Sequence, residues 1–225
     1  MSLPDLAALW LTIRLAAVTT IVLLIFGTPL AWWLSQTKSR VKPVLEAVVA
    51  LPLVLPPTVL GFYLLVAMAP DAPLGRAWIL ATGDTLSFSF AGLVVGSVIY
   101  SLPFMIQPLQ TAFEATGRSA MEAAASLRAG PLDAFFTIAA PLATRGFLTA
   151  SVLSFAHTLG EFGVVLMIGG NIPDRTRVVS IEIYEHVETL NYSDANSLSI
   201  ILISVSFIVL TAVYIFNRKQ AVHVG

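Results

Sequence analysis

The twenty residues from Leu15 to Leu34 contain no charged side chain, and neither does the stretch from Ala195 to Phe216. A helix needs roughly 20 mostly apolar residues to cross about 30 Å of hydrocarbon, so each stretch is long enough to span a bilayer. Composition agrees. The chain is 57% hydrophobic and 11% charged, against about 25% charged residues in an ordinary soluble domain. So few charges cannot coat a water-facing surface.

The reading along the chain predicts an all-α fold: one polytopic membrane helix bundle over residues 1–225. Five spans are expected, at about 8–34, 44–69, 91–113, 135–170 and 195–216. Asp5 precedes the first apolar run and no basic leader opens it. The first segment is therefore expected to remain as an anchor. Trp32 and Trp33 close that span as an interfacial pair, and Arg14 is expected to snorkel to the outer headgroups. Lys38, Arg40, Lys42, Arg118, Arg128, Arg145, Arg218 and Lys219 fall on one side of the spans, and Arg76, Arg175 and Arg177 on the other. Basic residues favour the cytoplasmic side, which predicts the N-terminus outside and the C-terminus inside.

Two regions break the helical pattern. Pro52, Pro56 and Pro57 crowd the second span. Each removes a backbone donor and clashes with the preceding turn, so this span must be kinked or unwound. In the fourth, Gly160 and Gly163 flank Glu161, which predicts a break near 160–163. Irregular backbone at membrane depth is tolerated only against protein or a water-filled cavity. Pro56, Pro57, Gly160, Glu161 and Gly163 are thus candidates for a pathway or gate. Glu161 is expected to order the break by accepting backbone hydrogen bonds or by pairing with a cation. His157 reads as a packed, hydrogen-bonded side chain. Pro103 and Pro108 fit either a pathway or simple tolerance of proline in a membrane helix. Val178–Val187 is too short and too charged to span, and is expected to lie at the membrane interface or to pack on the outer face.

Catalytic chemistry finds no support. Without cysteine there is no thiolate or disulfide, no metal-ligand spacing stands out, and no phosphate-cradling glycine loop is present. A net charge of −1 argues against nucleic acid as a partner. Neither catalytic nor metal-ligating residues are expected.

Between spans three and four, Ser119 is placed to cap a short alanine-rich helix at about 119–130. Glu122 sits three residues on, as in a capping box, and Gly130-Pro131 stops it. This loop resembles the coupling motif of ABC importer permeases: Glu-Ala-Ala, three residues, Gly, nine residues, Ile, any residue, Leu-Pro. Glu122, Ala123, Ala124, Ile138 and Pro141 fit that spacing, while Arg128 and Ala140 replace the glycine and leucine and Gly130 follows two residues later. The proline cluster Leu51–Gly61, together with Leu159–Gly163 and the stretch from Gly170 to Arg177, resembles the molybdate branch of these permeases. Import of sulfate, thiosulfate or tungstate is the alternative within the family.

The resemblance implies a homodimer in the cytoplasmic membrane of a bacterium or archaeon. It also implies two ATPase subunits inside and an oxyanion-binding protein outside, where Asn171, Arg175 and Arg177 could contact it. No cofactor is expected on this chain, because ATP and Mg belong to the ATPase partner. The rival from another class, a secondary transporter working without ATP, would show paired intramembrane charges or repeats, and neither is visible in the sequence.

Overall fold

The computed structural model describes residues 3–116, 126 and 129–221. The helices among them are α1 (Leu3–Gln36), α2 (Lys42–Val54), α3 (Pro57–Ala67), α4 (Pro73–Thr82) and α5 (Phe90–Ala115). After the undescribed stretch come α6 (Pro131–Leu142), α7 (Thr144–Leu159), α8 (Gly163–Gly169), α9 (Val179–Glu188) and α10 (Tyr192–Ala221). Glu122, Ala123 and Ala124 lie outside the described residues, as does most of the expected coupling helix; Ser126 is helical and exposed.

Three helices are long and apolar enough to cross a membrane alone: α1, α5 and α10. Two further helix pairs pass the same test together but are bent at a break, α2 with α3 by 112° and α6 with α7 by 74°, which gives up to five spans if each pair is one. Span two is therefore a full break. Pro56 and Pro57 disfavour helical backbone at the residue before each of them, and Leu55 is extended (φ −70°, ψ 136°). Pro57 then serves as the first residue of α3, where its missing N–H costs nothing. Pro103 and Pro108, by contrast, sit inside an unbroken α5.

The fourth apolar region departs from its expected form at its start. A second break falls at Ala143, where Pro131–Leu142, which includes a π-helical turn over Phe135–Ala139, leaves the line of α7. A π turn is a weak point in a helix, and Pro141 removes a further donor.

The α5 helix forms the centre of the bundle, packed against α1, α7, α8 and α2. Ser89 caps it, its hydroxyl accepting from the Gly92 amide at 3.1 Å. Toward its C-terminal end, Leu109 and Phe113 of α5 are buried with Leu34 of α1 and Ala139 of α6. Trp32 departs from the interfacial role predicted for it. Its ring packs inward, edge-on to Phe113 at 5.2 Å and to Phe135 at 5.4 Å, while Trp33 alone is exposed. Arg14 lies over the Phe90 ring at 4.4 Å, a cation–π contact. The α9 helix packs on the bundle as expected, with Val179 and Ile181 fully buried.

Candidate functional site

The two interrupted regions meet. A Cβ built on Gly163 would lie 2.7 Å from Pro57 Cβ, and one on Gly61 would lie 2.7 Å from Met167 Cβ. Only glycine lets α3 and α8 approach this closely. Gly160 is different: its φ of −93° is open to any residue, and an added Cβ would meet only the His157 carbonyl at 4.0 Å. The break runs through Gly160, Glu161 and Phe162, and α8 opens without a side-chain cap. At the first break, Val59 and Leu60 both donate to the Pro56 carbonyl. The prolines thus leave fewer free amides there than an unwound strand would.

Glu161 is buried at the junction. Its carboxylate accepts from the Ser97 hydroxyl of α5 at 2.7 Å, and its backbone carbonyl accepts from Ser180 of α9 at 2.5 Å. Its second oxygen has no hydrogen-bond partner among the described residues. The expectation of backbone donors or a cation is corrected: the partner is a hydroxyl on the central helix. Glu161 therefore pins the break to α5 with its side chain and to α9 with its backbone. Nothing in sequence spacing links Ser97 or Ser180 to this site. His157 is packed and hydrogen-bonded as expected, with Nδ1 2.9 Å from Ser101 Oγ.

On the outer side the three expected contact residues separate. Arg175 is half-exposed and pairs with Asp84 at 3.0 Å. Arg177 is folded inward onto Glu182 at 3.3 Å. Asn171 donates to Glu185 at 2.5 Å. Of the three, Arg175 alone is exposed. A further cluster escaped the sequence reading. His186 lies 3.0 Å from Asp5 and 3.8 Å from Glu182, joining the start of α1 to α9. These three side chains could surround a cation, but Arg177 already neutralises Glu182. The set joins residues that lie far apart in sequence.

On the inner side, Gly130 precedes α6 in extended backbone (φ −70°, ψ 162°), with Pro131 as the first helical residue. Ile138 sits in the π-helical turn, and Pro141 lies in the last turn before the bend. The whole arm thus connects the undescribed loop to α7, whose far end is the Glu161 break.

The family model for the binding-protein-dependent transport system inner membrane component matches residues 9–222. The chain belongs to this family. It is 58% identical over 217 residues to the molybdenum transport system permease protein ModB of Azotobacter vinelandii, covering 96% of each. It is 35% identical to the protein of the same name from Escherichia coli K12, covering 91% of this chain and 90% of that one. Among solved structures, a bacterial ABC transporter involved in the import of alginate superposes with a TM-score of 0.76. That match has 15% identity and covers 97% of this chain and 80% of the other. At that identity the likeness shows the fold alone.

Proposed function

We infer that this chain is the membrane-spanning permease subunit of an ATP-driven importer for molybdate. It acts as a homodimer in the cytoplasmic membrane, with two ATPase subunits on the inner side and an oxyanion-binding protein on the outer. The observation that carries this reading is the 58% identity to a molybdenum permease across nearly the whole of both chains. ATP and Mg are handled by the ATPase partner, and this chain contributes no catalytic residue.

The geometry supplies a route for coupling. Glu122, Ala123 and Ala124 dock into the ATPase. Movement there acts on α6, which begins at Pro131 and bends by 74° into α7. The α7 helix ends at Gly160–Phe162, and beyond that break α8 is wedged against Pro57. A shift of the inner loop therefore reaches both breaks through packed helices. In linkage terms, the ATPase and the binding protein bias the same two-state element. Pro56, Pro57, Gly160, Glu161 and Gly163 form the gate region. Arg175, and less directly Asn171 and Arg177, face the binding protein.

Cells lacking the chain should regain labelled molybdate uptake when it is restored, and a large excess of sulfate should not compete. Competition by sulfate equal to that by molybdate moves the assignment to the sulfate branch. Ala124→Trp should insert normally and co-purify in the membrane fraction, yet lose binding-protein-stimulated ATP hydrolysis. Unchanged stimulation removes the docking role from this segment.

A further inference from the structure

The α7 helix packs on α1, and the α6 arm turns out of the line of α7 by 74°. A cleft of about 530 Å³ opens in the corner between arm and α1. Leu24, Thr28 and Trp32 of α1, Leu132 and Phe136 of α6 and Phe147 of α7 line it. Among the described residues no charged side chain takes part in the lining, and Thr28 supplies its only hydroxyl. Asp133, the one acidic residue of the arm, is exposed and outside it. Leu132 and Phe136 are 75% and 69% exposed. Water is a poor occupant of such a place, because an ordered water needs about three hydrogen-bond partners.

Depth along α1 identifies a better one. Between Leu15 and Leu34 the exposed residues of α1 are Ile21, Ile25, Phe26, Pro29 and Trp33, all apolar, so this flank meets hydrocarbon. Trp33 marks the headgroup level, where indole rings gather. Lys38 and Arg40 follow it, both exposed and neither in an ion pair among the described residues. From Trp32 to Leu24 the lining follows the helix for about 12 Å, at 1.5 Å per residue. The cleft thus runs from the headgroups into the acyl region, with positive charge at its mouth. At that mouth the Trp32 indole N–H has no acceptor among the described residues, and a lipid ester carbonyl offers one.

We propose that this cleft is a site for one anionic phospholipid, with an acyl chain lying in it and the phosphate meeting Lys38 and Arg40. Basic groups beside a cleft between membrane helices select anionic headgroups. The chain fills the space between α1 and an arm that carries a π-helical turn over Phe135–Ala139, a weak point in a helix. It thereby braces the arm. Because α6 joins the loop of Glu122–Ala124 to α7, the lipid supports the route along which the ATPase acts. That last consequence rests on the permease reading; the site itself does not.

The test uses proteoliposomes holding the complete complex, with a trace of phosphatidylglycerol that carries a diazirine in its acyl chain. Irradiation should attach it to Leu24 and Phe136 in the cleft and to Phe26 on the open flank of α1. Excess unlabelled phosphatidylglycerol should suppress the cleft adducts far better than phosphatidylcholine does, by about fivefold for each basic residue at the mouth. At Phe26 the two lipids should compete alike. Lys38→Gln combined with Arg40→Gln should erase the preference in the cleft. Equal competition at Leu24 and Phe136 in the parent overturns the proposal. So does a cleft without adducts while Phe26 labels, since a second copy or another subunit then covers it.

A second measurement reads the brace. Binding-protein-stimulated ATP hydrolysis should fall several-fold when phosphatidylcholine replaces phosphatidylglycerol, and the double variant should be low in both lipids. Stimulation that ignores the headgroup, while the cleft adducts keep their preference, overturns the bracing role. A parental complex that the binding protein stimulates in neither lipid overturns the permease reading instead, and the adducts, which need no transport, still decide the site.

Discussion

The α1 and α10 helices run unbroken for 34 and 30 residues, whereas α3 and α8, with 11 and 7 residues, exist because their spans are interrupted. The long helices place Phe26, Ile203 and Phe207 outward, where hydrocarbon accepts them and nothing further is required of the backbone. The short ones are joined by contacts that tolerate no added methyl group at Gly61 or Gly163. The unbroken helices present an apolar wall. The breaks at Pro56–Pro57 and at Glu161 bring short helices into close contact and hold a buried carboxylate.

The contrast breaks most readily at Gly163. Valine there must displace Pro57, an overpacking strain of about 1–3 kcal/mol at the contact between the two breaks. Uptake should be nearly abolished while the dimer still co-purifies with its ATPases; Pro57→Ala should cause a milder loss in the same direction. Parental transport by both variants, or failure through lost assembly alone, returns these residues to a purely structural role.

A smaller effect is expected at Ser97. Ser97→Ala leaves the buried Glu161 carboxylate without its hydroxyl donor, a cost of about 1–3 kcal/mol. At roughly 2–4 °C per kcal/mol for a chain of this size, the melting midpoint of the purified complex should fall by several degrees. If it does not, Ser97 is no anchor for the break.

The smallest effects sharpen the comparison from the other side. Gly160→Ala places its methyl in open space and should transport like the parent, although it lies in the same break as Gly163. Phe207→Leu on the lipid face should likewise leave uptake and midpoint within measurement error. A severe defect in either variant would mean that the division between wall and gate is drawn in the wrong place.

Much of this was legible in the sequence, for identifiable reasons. Long charge-free runs have few structural solutions, so the spans emerge directly. The breaks at Pro56–Pro57 and near Glu161 follow from residues with strong backbone preferences. The bend at Ala143 is not marked by any comparable cluster; Pro141 alone lies near it. Partners distant along the chain were invisible: Ser97 and Ser180 for Glu161, and Asp5 for His186, since one-dimensional spacing carries no record of which helix faces which. Arg177 illustrates the same limit. As a loop cation it is indistinguishable from Arg175, yet one is held inward by Glu182 and the other reaches solvent. The loop of Glu122–Ala124 was read through its resemblance to the coupling motif, and it lies outside the described residues.

ATP-driven import, in which this chain works with partner subunits, is what we propose for it. Its most direct test is labelled molybdate uptake into proteoliposomes holding the chain with its ATPase subunits and supplied with the external binding protein. Accumulation should require ATP and the binding protein together and should vanish when either is omitted. Accumulation driven by an imposed ion gradient, without ATP, would contradict the account and make the chain a secondary transporter.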